Sequence, residues 1–254
     1  MKIITCCKIV PNEEGITVLP NRELSTENAP LAISQYDLNA LECGKKLASE
    51  TKGSMIALSI GATSALENTK IRKDVLSRGS DELALVMDDV HDFSDSLQTA
   101  KAISCALKNM DSYDLVLCGA GSSDLYAQEV GIQVGTLLDL PTVNNVTGIT
   151  VASENTLEVE RTLEEEIEVL EVSLPAVLSV SSEINVPSVP SMRDIMKAGK
   201  KPVHVLDIEE ELAPSTITLE QLAPEQQDRR QTVVEGDNEE AVDALVQFLR
   251  KEGF

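Results

Sequence analysis

Small and hydroxyl-bearing residues follow an apolar run in the middle of the chain, and their types and spacing suit the binding of a phosphate. The run is Asp114–Cys118, and glycines follow at Gly119 and Gly121. Because glycine has no Cβ, the backbone can approach a ligand closely at both positions. A helix predicted to begin near Ala127 would point free amides and the positive end of its dipole at the same spot. The polar residues of the turn are Ser122, Ser123 and Asp124.

The same stretch also fits an ordinary strand-to-helix turn, in which the serines and Asp124 only cap the helix. The third glycine of the dinucleotide-binding fingerprint does not follow Gly121, and the chain has no G-x-x-x-x-G-K-[ST] phosphate loop. The pattern predicts a phosphate site and leaves the plain turn open as the alternative.

No other set of residues predicts catalysis or metal binding. The two histidines, His91 and His204, lack metal-ligand spacing with Cys or Asp and are interpreted as surface residues. No G-x-S-x-G nucleophile elbow occurs. The basic run Lys70–Gly79 could receive an anionic cofactor or a partner, or it could merely balance its acidic surroundings. We therefore expect neither catalytic residues nor a metal site.

Charge and composition argue against several classes of function. The formal net charge of −22 over 254 residues would repel nucleic acid and anionic membrane surfaces. Aromatic residues make up 2% of the chain, too few for base-stacking platforms. No apolar run has the length of a membrane span, so membrane insertion is not expected. Five cysteines, mostly in apolar runs, predict buried, reduced thiols and a cytoplasmic protein.

Short apolar runs alternate with helix-like segments over the first 145 residues. Such runs are typical of strands buried on both faces of a parallel sheet. The predicted strands are Ile3–Cys7, Ser54–Ser59, Leu83–Met87 and Leu115–Cys118. The predicted helices are Tyr36–Glu50, Ser64–Ser77, Ser94–Asn109 and Ala127–Leu137. This alternation predicts an α/β fold with a Rossmann-like, doubly wound and mostly parallel sheet.

The pattern changes after residue 145. Alternating polar and apolar residues predict a β-hairpin over residues 156–173 with one solvent-exposed face, and Leu174–Val180 reads as a buried strand. A short helix capped by Ser191 is predicted to end at Ala198, and a final helix covers Asn238–Lys251. Residues 207–235 are acidic, with little core periodicity. We expect an α/β nucleotide-binding domain over residues 1–205, and over residues 206–254 an extended C-terminal arm that packs on a partner, with a disordered tail as the alternative.

Motifs along nearly the whole chain resemble those of electron transfer flavoprotein β subunits. Cys6–Pro11 resembles the family's first-strand motif V-K-x-V-P, and Asp114–Gly131 looks like its nucleotide loop. The family's C-terminal signature is similar to Val159–Arg161, Leu174–Val177 and Ile195–Pro202. Segments that look specifically like the FixA-type branch are Ile33–Glu42, Arg72–Gly79 and Ser122–Gln128.

The resemblance implies an electron carrier subunit and not an enzyme. In this family the β subunit pairs with an α subunit that supplies most of the FAD site. The β subunit itself holds an adenine nucleotide, either AMP or, in electron-bifurcating members, a second FAD. The implied electron donor is an acyl-CoA dehydrogenase-like protein, and the implied acceptor is a quinone oxidoreductase or a ferredoxin.

The resemblance also implies site residues, matched by motif. The adenine pocket would include Cys6, Ser34, Ile60 and Gly61. The phosphate would meet the backbone amides of Gln128, Glu129 and Val130, in the turn that carries Gly119, Gly121, Ser122, Ser123 and Asp124. The partner-docking loop would be Pro187–Lys197, with Met192 as its apolar anchor.

Three positions depart from the family's pattern. Val130 stands where many relatives carry a Thr that contacts phosphate, and Thr162 stands where many carry an acidic residue near the flavin. Asn185–Ser188 replaces the frequent Asn-Glu-Pro-Arg before the anchor, which leaves partner choice and flavin tuning open. Two rival classes are an ATP-pyrophosphatase-like ligase, which would need a Ser-Gly-Gly-x-Asp-Ser loop after the first strand, and a stand-alone nucleotide sensor resembling a universal stress protein, which would leave residues 150–254 unexplained.

Overall fold

The computed structural model describes residues 1–208 and 238–253, together with residues 212, 215, 223, 233 and 236. Its strands are β1 (Lys2–Cys6), β2 (Ile9–Pro11), β3 (Thr17–Val18), β4 (Leu24–Ser25), β5 (Leu31–Ile33), β6 (Ser54–Gly61), β7 (Glu82–Met87), β8 (Leu115–Gly119), β9 (Thr142–Ser153), β10 (Thr156–Thr162), β11 (Ile167–Ser173), β12 (Ala176–Val180) and β13 (Val203–Val205). Its α-helices are α1 (Gln35–Glu50), α2 (Thr63–Leu66), α3 (Thr69–Ser77), α4 (Ser96–Lys108), α5 (Val130–Leu138), α6 (Met192–Ala198) and α7 (Glu239–Glu252).

Nine of the described strands form one sheet in the order β11-β10-β9-β12-β8-β1-β6-β7-β13. The pairs from β9 through to β13 are parallel, whereas β9, β10 and β11 pair antiparallel at one end. The prediction of a Rossmann-like, mostly parallel sheet flanked by helices is confirmed.

The sheet carries a hydrophobic core on each face. Successive residues of a strand point to opposite faces, so Ile3 joins the core that includes Leu41 and Leu47 of α1, while Ile4 joins the core that includes Ile103 of α4 and Val134 of α5. All six side chains are at most 5% exposed. Full burial of a side chain of this size stabilises the fold by about 1.5–3 kcal/mol.

The predicted hairpin is formed by β10 and β11, which pair from Thr156 opposite Ser173 to Thr162 opposite Ile167. Its inner face contributes Leu157, Val159 and Val172 to the core. The long strand β9, which sequence reasoning missed, joins this hairpin to the parallel sheet. On the outer face of β11, Ile167 and Val169 are 63% and 55% exposed.

Two predicted helix boundaries are wrong. The segment Ser64–Ser77 forms two helices, because the Asn68 side chain accepts hydrogen bonds from the amides of Lys70 and Ile71 and begins α3 anew. The helix after β8 begins at Val130, three residues later than predicted. This leaves residues 126–129 in the loop between β8 and α5.

The C-terminal predictions divide into two groups. Ser191 caps α6 through a capping box with Asp194, and Asn238 caps α7, so both predicted helices are confirmed. None of the described residues of α7 is buried. The acidic segment 207–235 lies largely outside the described residues.

No helix within residues 1–208 and 238–253 combines the length and apolar character needed to cross a bilayer.

Candidate functional site

A cleft opens at the carboxyl ends of β1 and β8, where the order of the sheet reverses. From β1 the chain proceeds to β6 and β7 on one side, and it then returns to β8 on the other side of β1. Loops that leave two adjacent strands in opposite directions leave a crevice between them, and ligands of open α/β sheets bind there. The empty space of the cleft, including its open mouth, is about 780 Å³.

Most of the sequence-predicted nucleotide residues lie around this cleft. Those that line it are Cys6, Ile60, Gly119, Gly121, Ser122, Gln128, Glu129 and Val130. Ser34 and Ser123 stand behind the lining, where the Ser34 hydroxyl accepts a hydrogen bond from the Ser123 amide at 3.2 Å. Gly61 ends β6 but is not part of the lining. Asp124 reaches the cleft indirectly, because its carboxylate pairs with Lys8.

The loop before α5 presents unpaired backbone amides to the cleft. Among the hydrogen bonds of the described residues, none uses the amides of Gln128, Glu129 or Val130 as donor. The first amides of a helix have no partner within the helix, so α5 adds its own free N–H groups at this point. Gln128 has a φ of 62° and Tyr126 a φ of 49°. Left-handed backbone at non-glycine residues costs free energy and concentrates at ligand-binding turns.

The two glycines of the turn make room for other parts of the protein. A Cβ on Gly119 would lie 2.6 Å from Asp37 Oδ1 and 2.8 Å from the Tyr36 carbonyl carbon. A Cβ on Gly121 would lie 2.6 Å from the Tyr126 ring. From the sequence, we expected both glycines to let the backbone approach a ligand closely. The structure shows that they allow close internal packing, although both still line the cleft.

A buried carboxylate holds the two strand ends together behind the cleft. Asp37 Oδ2 accepts a hydrogen bond from the Lys8 amide at 2.7 Å, and Asp37 Oδ1 accepts one from the Gly119 amide at 3.2 Å. The Ser34 hydroxyl donates a third. Burial raises the pKa of Asp37 to about 7, against the lowering effect of these hydrogen bonds and of the Lys8 charge.

The charged groups around the cleft are mostly paired. Lys8 Nζ lies 2.7 Å from Asp124 Oδ2, and this contact helps to keep the pKa of Asp124 low. Glu129 accepts a hydrogen bond from the Ser96 hydroxyl at 2.6 Å. A phosphate group would therefore meet backbone amides and one lysine near the mouth. The carboxylate of Glu129 would repel further negative charge at this place.

The inner wall of the cleft is apolar and rich in thiols. Leu58, Ile60 and Ile103 line it together with Cys6 and Cys118. Cys6 and Cys7 are buried, and their pKa values are raised: for Cys6 the hydrogen bond with Cys118 contributes most, and for Cys7 burial does. All five cysteines are buried and free, as predicted. A planar, weakly polar group such as a nucleotide base fits this wall better than a charged one.

Sequence reasoning missed several cleft residues. Lys8 and Asp37 lie inside motifs that carried the family resemblance, yet no role was assigned to either. Phe93 and Ser94 line the cleft from the β7–α4 loop, and Ser96 lines it from the start of α4. The only available signal for that loop was its position after a predicted parallel strand, because carboxyl-end loops of adjacent strands meet at one edge of the sheet.

The predicted docking residues form a separate surface outside the cleft lining. Met192 is 75% exposed and Met196 is 74% exposed, both on α6, and Lys197 is exposed beside them. The segment before α6 is tied to α1: the side chain of Asn39 donates to the Asn185 carbonyl oxygen at 2.8 Å, and Ser188 Oγ donates to Glu42 Oε2 at 2.6 Å. Met192 therefore does not fold back onto the domain.

The described residues contain no group of three or more His, Cys, Asp or Glu side chains placed to hold a metal ion.

Comparison with protein families gives one match, which covers most of the chain. Residues 23–211 match the model of the electron transfer flavoprotein domain. The matched range includes the turn after β8, the hairpin and the docking surface.

Proposed function

Since the chain belongs to the electron transfer flavoprotein family, whose members carry electrons and are not enzymes, we propose that it is the β-type subunit of such a carrier, of the FixA-like branch. It passes electrons between a dehydrogenase and a downstream acceptor as half of a heterodimer. The motifs quoted above support the subunit type and the branch.

The cleft supports the binding of an adenine nucleotide on this chain. The observation that carries the proposal is the set of free amides at Gln128–Val130, which borders a cleft with an apolar inner wall at the switch point of the sheet. The base lies against Cys6 and Ile60, and the phosphate accepts hydrogen bonds from the amides. AMP fills this site, or the adenylate half of a second FAD does. FAD supplies the electron-carrying chemistry when bound.

Two exposed apolar surfaces support a heterodimer with an FAD-binding α subunit. Ile167 and Val169 lie on the outer face of the edge strand β11. The second surface is one side of α7, where Val242 and Leu245 are 57% and 49% exposed. An amphipathic helix with no buried residue among those described gains stability only by packing on something else. We assign residues 1–205 to the nucleotide-binding domain and residues 206–254 to an arm that packs on the α subunit.

The docking surface on α6 supports a second, transient partner. Met192 and Met196 are adaptable apolar side chains, and Lys197 adds a positive charge beside them. Their partner is an acyl-CoA dehydrogenase-like donor, or an acceptor such as a quinone oxidoreductase or a ferredoxin. Free, buried thiols support a cytoplasmic location.

The test is to purify the chain alone and after co-expression with its α subunit. We expect the isolated chain to be colourless or nearly so, and the heterodimer to be yellow. Acid release followed by chromatography should give FAD and AMP, or two FAD per heterodimer. Stoichiometric FAD on the isolated chain would contradict the division of labour between the subunits, and absence of any adenine nucleotide would contradict the cleft assignment.

A further inference from the structure

Asp37 is the one fully buried acidic side chain of the cleft lining, and it connects three separate parts of the chain. It lies in the first turn of α1, its two oxygens accept the amides of Lys8 and Gly119, and the Ser34 hydroxyl donates to it. Ser34 in turn accepts from the Ser123 amide. One carboxylate thus sets the separation of the β1 and β8 ends and, through Ser34, the position of the turn that carries the free amides.

Two other carboxylates make the same type of bond at the opposite edge of the sheet. Asp114 Oδ2 accepts from the Lys2 amide at 2.6 Å, and Asp81 Oδ2 accepts from the Met55 amide at 3.0 Å. Both are exposed to solvent. A solvent-exposed carboxylate can therefore accept the backbone amide hydrogen bond at the end of a strand. At the cleft the protein buries the carboxylate, which is costly unless its hydrogen bonds are needed.

We propose that Asp37 is a positioning residue for the nucleotide cleft, whose ionised carboxylate holds the ends of β1 and β8 at the spacing that the ligand needs, so that nucleotide retention weakens below neutral pH. The inference rests on the proposed nucleotide-binding function. A protonated Asp37 would direct its own O–H towards amide donors, so at least one of the two strand-end bonds is lost.

Asp37 interacts directly with three neighbouring titratable groups, which are Cys6, Cys7 and Lys8. Cys118 is bonded to Cys6, Asp124 is bonded to Lys8, and Tyr126 contacts Tyr36, the residue before Asp37 on α1. The thiols of Cys6 and Cys7 have raised pKa values and stay neutral, and Asp124 has a lowered pKa and stays ionised. The pKa of Asp37, at about 7, lies between these.

The experiment measures AMP affinity by calorimetry from pH 6 to pH 8, using the full-length chain with its partner subunit where one co-purifies. If the neutral form binds AMP about tenfold more weakly than the ionised form, AMP affinity falls about fivefold over this range. Asp37→Asn, which keeps this residue neutral, should bind AMP about tenfold more weakly than the wild type at pH 8 and about twofold more weakly at pH 6. The second ionisation of the AMP phosphate, near pH 6, affects both proteins alike and cancels in this ratio.

Asp114→Asn is the matched control, because it alters the same kind of bond at the edge away from the cleft. It should keep the pH profile of the wild type. If Asp37→Asn shows that profile too, or if acidification tightens binding in the wild type only, the role of Asp37 is overturned while nucleotide binding stands. Failure of the wild type to bind either AMP or FAD at pH 8 would instead overturn the proposed function.

A measurement on the wild type alone covers the case in which Asp37→Asn does not fold. The carboxyl carbon of Asp37 is followed by NMR during a pH titration with and without AMP. Because AMP should bind the ionised form, saturating AMP should lower the pKa of Asp37 by about one. A pKa of Asp37 that does not move, or that rises, would contradict the proposal.

Discussion

The amino and carboxyl edges of the parallel sheet are closed by the same kind of hydrogen bond, yet they differ in what surrounds it. At the amino edge, exposed Asp114 accepts the amide of Lys2. At the carboxyl edge, Asp37 accepts the amides of Lys8 and Gly119 from a site that is only 7% exposed. The comparison teaches that burial can raise the pKa of a carboxylate to about 7 even where hydrogen bonds to its oxygens act to lower it.

The two edges also differ in whether their backbone N–H and C=O groups form hydrogen bonds within the protein. At the amino edge the strand ends exchange bonds directly, since the Asp114 amide donates to the Lys2 carbonyl oxygen and the Ser54 amide donates to that of Met1. At the carboxyl edge the amides around Gln128 have no acceptor among the described residues. Unused donors beside a cleft indicate a binding edge, whereas saturated strand ends indicate a structural one.

The largest expected effect is on the pH dependence of stability. The pKa of Asp37 is raised from 3.8 to about 7 in the folded chain. Between these values the unfolded chain loses the proton and the folded chain keeps it, so wild-type stability falls as pH rises through this window and is level above it. Relative to Asp37→Asn, the wild type should lose up to about 4 kcal/mol between pH 4 and pH 8.

Urea denaturation at each pH measures this difference. The difference in the free energy of unfolding between the wild type and Asp114→Asn, which alters the amino edge, should show no comparable change over the same pH range. Equal pH profiles for the wild type and Asp37→Asn would remove the distinction between the two edges.

The next effect concerns thiol protection. Cys118 lines the cleft and Cys43 is buried on α1 away from it. AMP at one hundred times its dissociation constant should slow alkylation of Cys118 about a hundredfold if the nucleotide covers the thiol. Mass spectrometry of the two cysteine-containing peptides gives both rates. Equal slowing at Cys43 would mean that AMP acts through global unfolding and not by covering the cleft.

A third comparison uses glycines that pack tightly at opposite edges. A Cβ at Gly119 would press on Asp37 and Tyr36, and a Cβ at Gly53 would press on the Met1 carbonyl group. We expect Gly119→Ala to lower the free energy of unfolding by about 2 kcal/mol and to weaken AMP binding as well. Gly53→Ala should lower stability by a similar or larger amount, because its Cβ would lie 1.8 Å from the Met1 carbonyl oxygen, and should leave AMP binding intact. Gly61→Ala, with open space around its Cβ, should change stability by less than about 0.5 kcal/mol.

The smallest effect is expected on the docking surface, which is outside the cleft lining. Met192→Ala should weaken association with the redox partner by about 1 kcal/mol, with unchanged nucleotide content and thermal stability, because the side chain is 75% exposed. Reduction kinetics of the heterodimer at varied partner concentration measure the loss. Val90→Ala, at an 87% exposed position outside α6, is the control. A drop in melting temperature without a change in docking would show that Met192 serves packing.

Much of the fold could be predicted from local pattern. Continuous apolar runs predicted the strands that became β1, β6, β7 and β8, and the cap at Ser191 predicted α6. These succeeded because strand burial and helix capping depend on residues a few positions apart. The break at Asn68 shows the limit of the same method, since one internal cap divided a helix that looked continuous.

The turn after β8 was visible in the sequence as a candidate phosphate site, but the reason for its glycines was not. Sequence determined that small and polar residues follow β8 and that free amides precede α5. Only the tertiary structure decided that Gly119 must accommodate Asp37, which is 82 positions away, and that Asp37 would be buried. The pKa of a carboxylate and the close approach of two backbones both depend on what the fold brings together from distant segments, and no local pattern carries that information.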